Sequence, residues 1–126
     1  WDLVDLTAPA IVGGYLLDRP EERERIYSLA DSESLWEQRI AVVSTVMFIR
    51  NREYDDTYAL AVKLMSHPHD LMHKAIGWML REAGKRDQRR LEAFLDEYAT
   101  SMPRTMLRYA IEKFPKELRR HYLLLR

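Results

Sequence analysis

Apolar residues recur along this chain with the spacing of an α-helix, about 3.6 residues. Short polar or proline-containing stretches separate the helical segments. The clearest segment runs from His73 to Lys85, with Asp70 as a plausible N-cap and Gly84 as a plausible C-terminal stop. Its apolar positions are Ala75, Ile76, Met79, Leu80 and Ala83. The pattern therefore predicts an amphipathic helix with one face buried.

The same pattern predicts helical segments along the rest of the chain. The opening segment from Trp1 is helical, although Pro9 is expected to bend or restart it and Gly13 and Gly14 weaken it. The later segments run over 20–30, 35–49, 55–65, 87–98, 103–111 and 115–123. No stretch shows strand alternation or a hairpin turn signal. The sequence therefore predicts an all-α protein.

Three of the segments share a pattern in which a cation precedes small or apolar residues. The pattern begins at Arg39, Lys74 and Arg108, at intervals of 35 and 34 residues. Each copy lies in the second helix of a helix pair. Equal spacing of helix pairs is typical of an α-solenoid, in which the pairs stack. We therefore expect a right-handed α-α superhelix of antiparallel pairs, with Lys74, Trp78 and Arg81 on its concave side.

Composition is consistent with one helical-repeat domain over residues 1–126. The chain is 47% apolar and 32% charged, and no apolar run reaches the roughly 20 residues that cross a membrane. The absence of cysteine excludes disulfides and thiol chemistry and is compatible with a cytoplasmic location. The net charge is zero, but residues 1–71 carry a net charge of −6 and residues 72–126 a net charge of +6. Such asymmetry permits a basic face on a neutral protein.

Candidate binding residues lie on two of the helices. Lys74, Trp78, Arg81 and Lys85 are spaced by four, three and four, so they share a helix face. Two interpretations remain for Trp78: a core residue among solvated cations, or an aromatic platform in a groove that binds a polyanion. A metal site formed by the loop residues His67 and His69 is a weak alternative, because no further ligand follows at a suitable spacing.

Four stretches of the chain resemble the AlkD-like DNA alkylation repair enzymes, which are alkylpurine DNA glycosylases built from HEAT-like repeats. The stretches are Trp1–Asp5, Leu35–Arg39, Lys74–Glu82 and Leu107–Lys113. The most specific is the run Lys-Ala-Ile-Gly-Trp followed by Leu-Arg-Glu. Because the family has further repeats before the position of Trp1, we expect the chain to be the C-terminal part of a longer protein and to bind DNA poorly alone.

The resemblance implies hydrolysis of the N-glycosidic bond of N3- or N7-alkylated purines in double-stranded DNA. Neither a cofactor nor a metal is implied, and neither a membrane nor an obligate protein partner is expected. Asp5 resembles the catalytic aspartate, while Trp1 and Trp78 resemble the tryptophans that cradle the nucleotide. Arg39 and Arg81 resemble residues that hold the DNA backbone. The repeat pattern adds two further candidate contacts, Lys74 and Arg108.

Alternatives to these roles follow from the residues themselves. Asp5 is also consistent with a solvated helix carboxylate, and Arg39 with a partner of Glu37 or Asp5. Trp36, beside Leu35, is expected in the core. A HEAT-like module that binds DNA or protein without chemistry is the alternative function. Asp5 distinguishes the two functions, because an acid in a phosphate-binding groove repels the ligand.

Overall fold

The computed structural model describes residues 3–125, and the side chains of residues 3–8 are not described. The described residues form eight α-helices, with a 3-10 turn at Pro20–Glu22 between the first two. The helices are α1 Leu3–Leu17, α2 Glu24–Ala30, α3 Leu35–Arg50, α4 Asp55–Leu64, α5 Asp70–Arg86, α6 Gln88–Tyr98, α7 Arg104–Ala110 and α8 Lys116–Leu123. No strand occurs between residues 3 and 125, so the all-α prediction is confirmed.

The helices form two rows, as an α-α superhelix of antiparallel helix pairs requires. In the odd-numbered row, α1 packs on α3, α3 on α5, and α5 on α7. In the even-numbered row, the Tyr27 hydroxyl donates to Asp56 between α2 and α4, and the rings of Tyr58 and Phe94 meet between α4 and α6. The Tyr122 hydroxyl of α8 donates to Asp96 of α6 in the same row.

The predicted apolar face of α5 is buried. Ala75, Met79 and Leu80 are at most 1% exposed, as are the α7 residues Met106 and Leu107. These helices approach each other closely at Gly77. A Cβ there would lie 2.7 Å from the Met106 carbonyl oxygen and 2.6 Å from the Tyr109 Cβ. Because Gly77 has no side chain, the α5 backbone packs directly against the Met106 backbone and the Tyr109 side chain of α7.

Several predicted helix boundaries are wrong. Pro9 lies inside a continuous α1, and Pro20 begins a 3-10 turn rather than a long α-helix. The N-cap of α5 is His69, whose ring nitrogen accepts from the Leu71 N–H, so Asp70 is already helical. Gly84 does not end α5. It lies inside the helix, where a Cβ would collide with the Leu91 side chain of α6.

Two large apolar residues of α1 are exposed. Ile11 is 68% exposed and Tyr15 is 44% exposed, so α1 presents apolar surface to solvent on that side. The Tyr15 hydroxyl donates to Glu22, which accounts for the polar end of that side chain. Among the described residues, no helix combines the length and hydrophobicity that crossing a membrane requires.

Candidate nucleic-acid interface

The odd-numbered row carries the candidate site residues in the part of the chain that the structure describes. Arg39 lies on α3, Lys74, Trp78 and Arg81 lie on α5, and Arg108 lies on α7. These three helices are successive neighbours, so the candidate residues are brought onto adjacent elements. The backbone of Asp5 belongs to α1, but its side chain is not described, and Trp1 lies outside the described residues.

Trp78 is only partly buried. One part of its side chain packs against the hydrophobic core, and the rest remains accessible on α5. The core interpretation therefore describes the packed part of the Trp78 side chain, and the platform interpretation describes its accessible part. One turn earlier, Lys74 is half-buried and its Nζ lies 3.7 Å from an oxygen of Asp70. An ion pair of that length at an accessible site is weak, so an incoming anion can compete for the lysine.

Arg81 is held by an acid from the end of α7. Its Nη1 donates to the Glu112 carboxylate at 2.7 Å, and its Nε lies 3.6 Å from Glu82. The Arg81 side chain is 20% exposed and the Glu112 side chain is 51% exposed. The Glu112 carboxylate thus positions Arg81 at the surface. A DNA phosphate that binds Arg81 would have to displace this carboxylate. This partner follows Arg81 by 31 residues and was not identified from the sequence.

The expectation that Trp36 is buried is wrong. Trp36 is 42% exposed in the first turn of α3, and the Arg39 guanidinium carbon lies 5.8 Å from the centre of its ring. That distance is within the range of a cation–π contact. Burial of α3 instead begins two residues after Arg39, at Ala41. The three-residue spacing of Trp36 and Arg39 was a sequence signal that they share a face.

The loop between α4 and α5 is ordered by histidine side chains. His67 Nδ1 accepts from the His69 N–H at 3.0 Å, so its Nε2 carries the proton and donates to Gln38 at 2.9 Å. His73 Nε2 donates to the His67 carbonyl oxygen. Burial, with contributions from His69 and His73, lowers the pKa of His67 below its ordinary value. These contacts tie the loop to α3 one residue before Arg39.

The histidines of this loop form hydrogen bonds within the protein and are not arranged as a metal site in the described residues. Within residues 3–125, no group of three or more histidine, aspartate or glutamate side chains is arranged to hold a metal ion. Both ring nitrogens of His67 are occupied: Nδ1 accepts from the His69 N–H, and Nε2 donates to Gln38. We therefore assign His67 and His69 to the structure of the loop.

Comparison with known proteins identifies the family of the chain. No curated protein gives a significant match to the chain. A family model described as DNA alkylation repair enzyme matches residues 1–114 of the 126. That match includes every candidate site residue from Trp1 to Arg108. Because the model spans most of the sequence, the chain belongs to the DNA alkylation repair enzyme family.

Proposed function

We propose that this protein is a DNA glycosylase that hydrolyses the N-glycosidic bond of N3- or N7-alkylated purines in double-stranded DNA. The observation that carries the proposal is the family match over residues 1–114 together with the row of adjacent helices α1, α3, α5 and α7. Membership of a DNA alkylation repair family implies DNA as substrate or partner. The proposal adds the reaction and the lesion to that coarser statement.

The chemistry of the lesion determines what the protein must supply. Alkylation at N3 or N7 makes the purine cationic, so the base departs as a neutral leaving group and needs little protonation. The remaining requirement is to stabilise positive charge as it develops on the deoxyribose and to position a water molecule. A preorganised carboxylate beside the sugar meets the first requirement electrostatically. We assign this role to Asp5 and the orientation of the water to the same carboxylate.

Aromatic and cationic residues of the odd-numbered row would hold the damaged nucleotide. In this proposal Trp1 and Trp78 contact the cationic lesion and sugar through their ring faces. Arg39 and Arg81 hold the phosphates that flank the lesion, and Lys74 and Arg108 add outlying contacts. The partial exposure of Trp78 supports the proposal, because a sealed tryptophan would offer no face to a nucleotide.

A second candidate function is a helical-repeat module that binds DNA without chemistry. The observation in its favour is that two of the proposed DNA contacts already have acidic partners: Lys74 faces Asp70 and Arg81 faces Glu112. Such pairing lowers the positive potential of the row and is consistent with a weak, general DNA-binding role. The glycosylase remains preferred, because a pure binder has no use for a carboxylate at the position of Asp5.

The decisive experiment measures release of 7-methylguanine from methylated duplex DNA by the full-length protein in a single turnover. Time-dependent release of free base is expected, with abasic sites appearing in equal amount. Unmethylated duplex of the same sequence is the matched control. Binding to both duplexes without release of base would support the module and contradict the glycosylase.

A further inference from the structure

At the C-terminal end of the described chain, an open cavity of about 510 Å³ lies along α7, α8 and the residues that follow each helix. We call it the C-terminal cavity. Apolar residues from both helices and the chain after them line it, namely Ile111, Leu123 and Leu124. Leu124 is 65% exposed, so the cavity opens onto an unprotected apolar surface. Neither the family match, which ends at residue 114, nor the proposed catalytic residues account for α8.

Four cations surround this apolar floor: Lys116, Arg119, Arg120 and Arg108, the last of which is also an outlying DNA contact in the proposed function. Some cations of the described chain, such as Arg23, Lys63 and Arg90, pair with acids, whereas others, such as Arg86 and Arg89, form no salt bridge among the described residues. None of the four cavity cations forms a salt bridge with any residue between 3 and 125. The cavity is therefore a concentration of uncompensated positive charge on a chain whose net charge is zero.

The acid in the lining does not offset this charge. Glu112 lies in the cavity wall, but its carboxylate accepts from Arg81 at 2.7 Å, so α5 already neutralises it. A ligand entering the cavity meets a positive rim of four side chains and an apolar floor. Ligands that complement both features carry negative charge and apolar groups in close alternation.

From this combination we propose that the C-terminal cavity binds an acidic segment of a partner protein that also presents apolar side chains. Carboxylates of the segment would pair with the cations of the rim, and a leucine-like side chain would cover Leu124 in the manner of an amphipathic helix in a groove. Nucleic acid fits the rim but not the floor, because its phosphates gain nothing from exposed leucine. The two features together therefore favour a protein segment over DNA.

Fluorescence anisotropy with a labelled twelve-residue peptide tests the proposal on the full-length protein. The peptide carries glutamate on one helical face and leucine on the other. Two matched peptides replace every glutamate by glutamine or every leucine by serine. We expect saturable binding of the first peptide and binding at least about tenfold weaker for both replacements.

Protein variants locate the binding. The double variant Arg119→Glu and Arg120→Glu should weaken binding about tenfold or more, because it reverses the charge of two of the four rim cations. Leu124→Ser should also weaken it. Because Leu124 is 65% exposed, the substitution should leave the fold unchanged, which circular dichroism checks. The control combines Arg86→Glu with Arg89→Glu, two exposed cations outside the cavity lining, and should leave binding unchanged.

Three results would overturn the proposal. Absence of saturable peptide binding would do so directly. The cavity would be assigned to nucleic acid by a combination of observations. The serine peptide would bind as well as the original peptide, an unmodified DNA duplex would compete with it, and the duplex would bind the rim variant more weakly. A concentration-dependent dimer in sedimentation that the Leu124→Ser variant abolishes would assign it to a second copy of the chain.

Discussion

Arg81 of α5 and Glu112 at the end of α7 are joined by a hydrogen bond of 2.7 Å between Nη1 and Oε2. The contact spans two neighbours of the odd-numbered row and occupies the guanidinium that we propose for a DNA phosphate. A phosphate that binds Arg81 must therefore displace a carboxylate. The strength of DNA binding should therefore depend on Glu112, which would not itself contact the DNA.

Replacing Glu112 by glutamine should strengthen DNA binding. The substitution removes the competing charge while keeping the size of the side chain. Exposed ion pairs contribute about 0.2–1 kcal/mol, so the dissociation constant for a duplex should fall roughly 1.4- to fivefold. Fluorescence anisotropy at fixed salt measures the change. Glu97→Gln, an exposed acid on α6 in the even-numbered row, is the control. Equal affinities for the two variants would show that Arg81 does not bind phosphate.

DNA binding by the full-length protein should be directed mainly at phosphates. No base-reading motif accompanies the cations of the odd-numbered row. If three to five phosphates are neutralised, log K should fall against log salt with a slope of roughly −3 to −4.5, from about 0.9 per phosphate. Arg39→Ala should make the slope shallower by about one.

The matched control for the salt series is Arg89→Ala, an exposed cation on α6. Its slope should equal that of the unaltered protein, because it lies in the even-numbered row. A slope near zero for the unaltered protein would contradict phosphate-directed binding. If Arg39→Ala and Arg89→Ala reduced the slope equally, the cations would act through the overall charge of the protein rather than through their positions.

Gly77→Ala should destabilise the fold. The added Cβ would lie 2.7 Å from the Met106 carbonyl oxygen, a backbone atom that cannot rotate away. Overpacking of this kind costs about 1–3 kcal/mol. Gly14→Ala is the control, since the nearest atom to its Cβ is the flexible Met47 Cε at 4.0 Å. That change should stabilise the fold by up to about 1 kcal/mol through helix propensity and so raise the melting temperature. Thermal unfolding followed by circular dichroism compares them, and an equal rise for both would contradict the close packing of α5 on α7.

Stability should fall as the solution is acidified through the range where His67 titrates. Burial lowers the pKa of His67 in the folded protein below its value in the unfolded chain. The unfolded state therefore binds the proton more readily. The contribution of neutral His67 is complete above about pH 6.5, the ordinary histidine value, and is lost as the pH falls through the lower folded pKa.

His67→Asn tests this dependence, because its side-chain oxygen can accept from the His69 N–H but does not titrate. The free energy of unfolding, from urea titrations between pH 7.5 and pH 5, should change less with pH in this variant than in the unaltered protein. His121→Asn, an exposed position on α8, should retain the full pH dependence. Parallel pH profiles for all three proteins would exclude His67 as the source.

Local patterns were sufficient to identify most of the helical segments and the buried face of α5, but not the helix boundaries. The apolar positions of α5 and the repeat interval of 34 to 35 residues reflect local periodicity, and both led to the observed rows. Gly84 misled because glycine also serves close packing: it lies against Leu91, and the helix continues to Arg86. Local propensity does not distinguish these two uses of glycine.

The environment of the candidate site depended on contacts that the sequence does not encode locally. Trp36 was expected in the core from its neighbour Leu35, yet it is 42% exposed because burial of α3 begins later in the helix. Glu112 is separated from Arg81 by a whole repeat. Which acid reaches which arginine is decided by the packing of α5 on α7, and spacing within one helix carries no information about it.

The last prediction concerns Asp5, on which the proposed chemistry depends. A carboxylate in a DNA groove repels phosphates, so a pure binder should gain affinity when the charge is removed. A glycosylase should instead lose the group that stabilises positive charge on the sugar. Asp5→Asn keeps the shape of the side chain and removes its charge. We expect unchanged folding, equal or tighter DNA binding, and excision slower by about 10²-fold or more, as for loss of one preorganised electrostatic group.

Single-turnover release of 7-methylguanine by the full-length protein and its Asp5→Asn variant, both at saturating enzyme, separates these outcomes. Saturation matters because a variant that binds more tightly would otherwise conceal a slower chemical step. Asp18→Asn, an exposed acid just after α1, is the control and should excise at the unaltered rate. Equal rates for Asp5→Asn and the unaltered protein would remove Asp5 from the chemistry. Release by neither protein, with binding intact, would leave the helical-repeat binding module as the function, because tight binding without a transition-state interaction yields no catalysis.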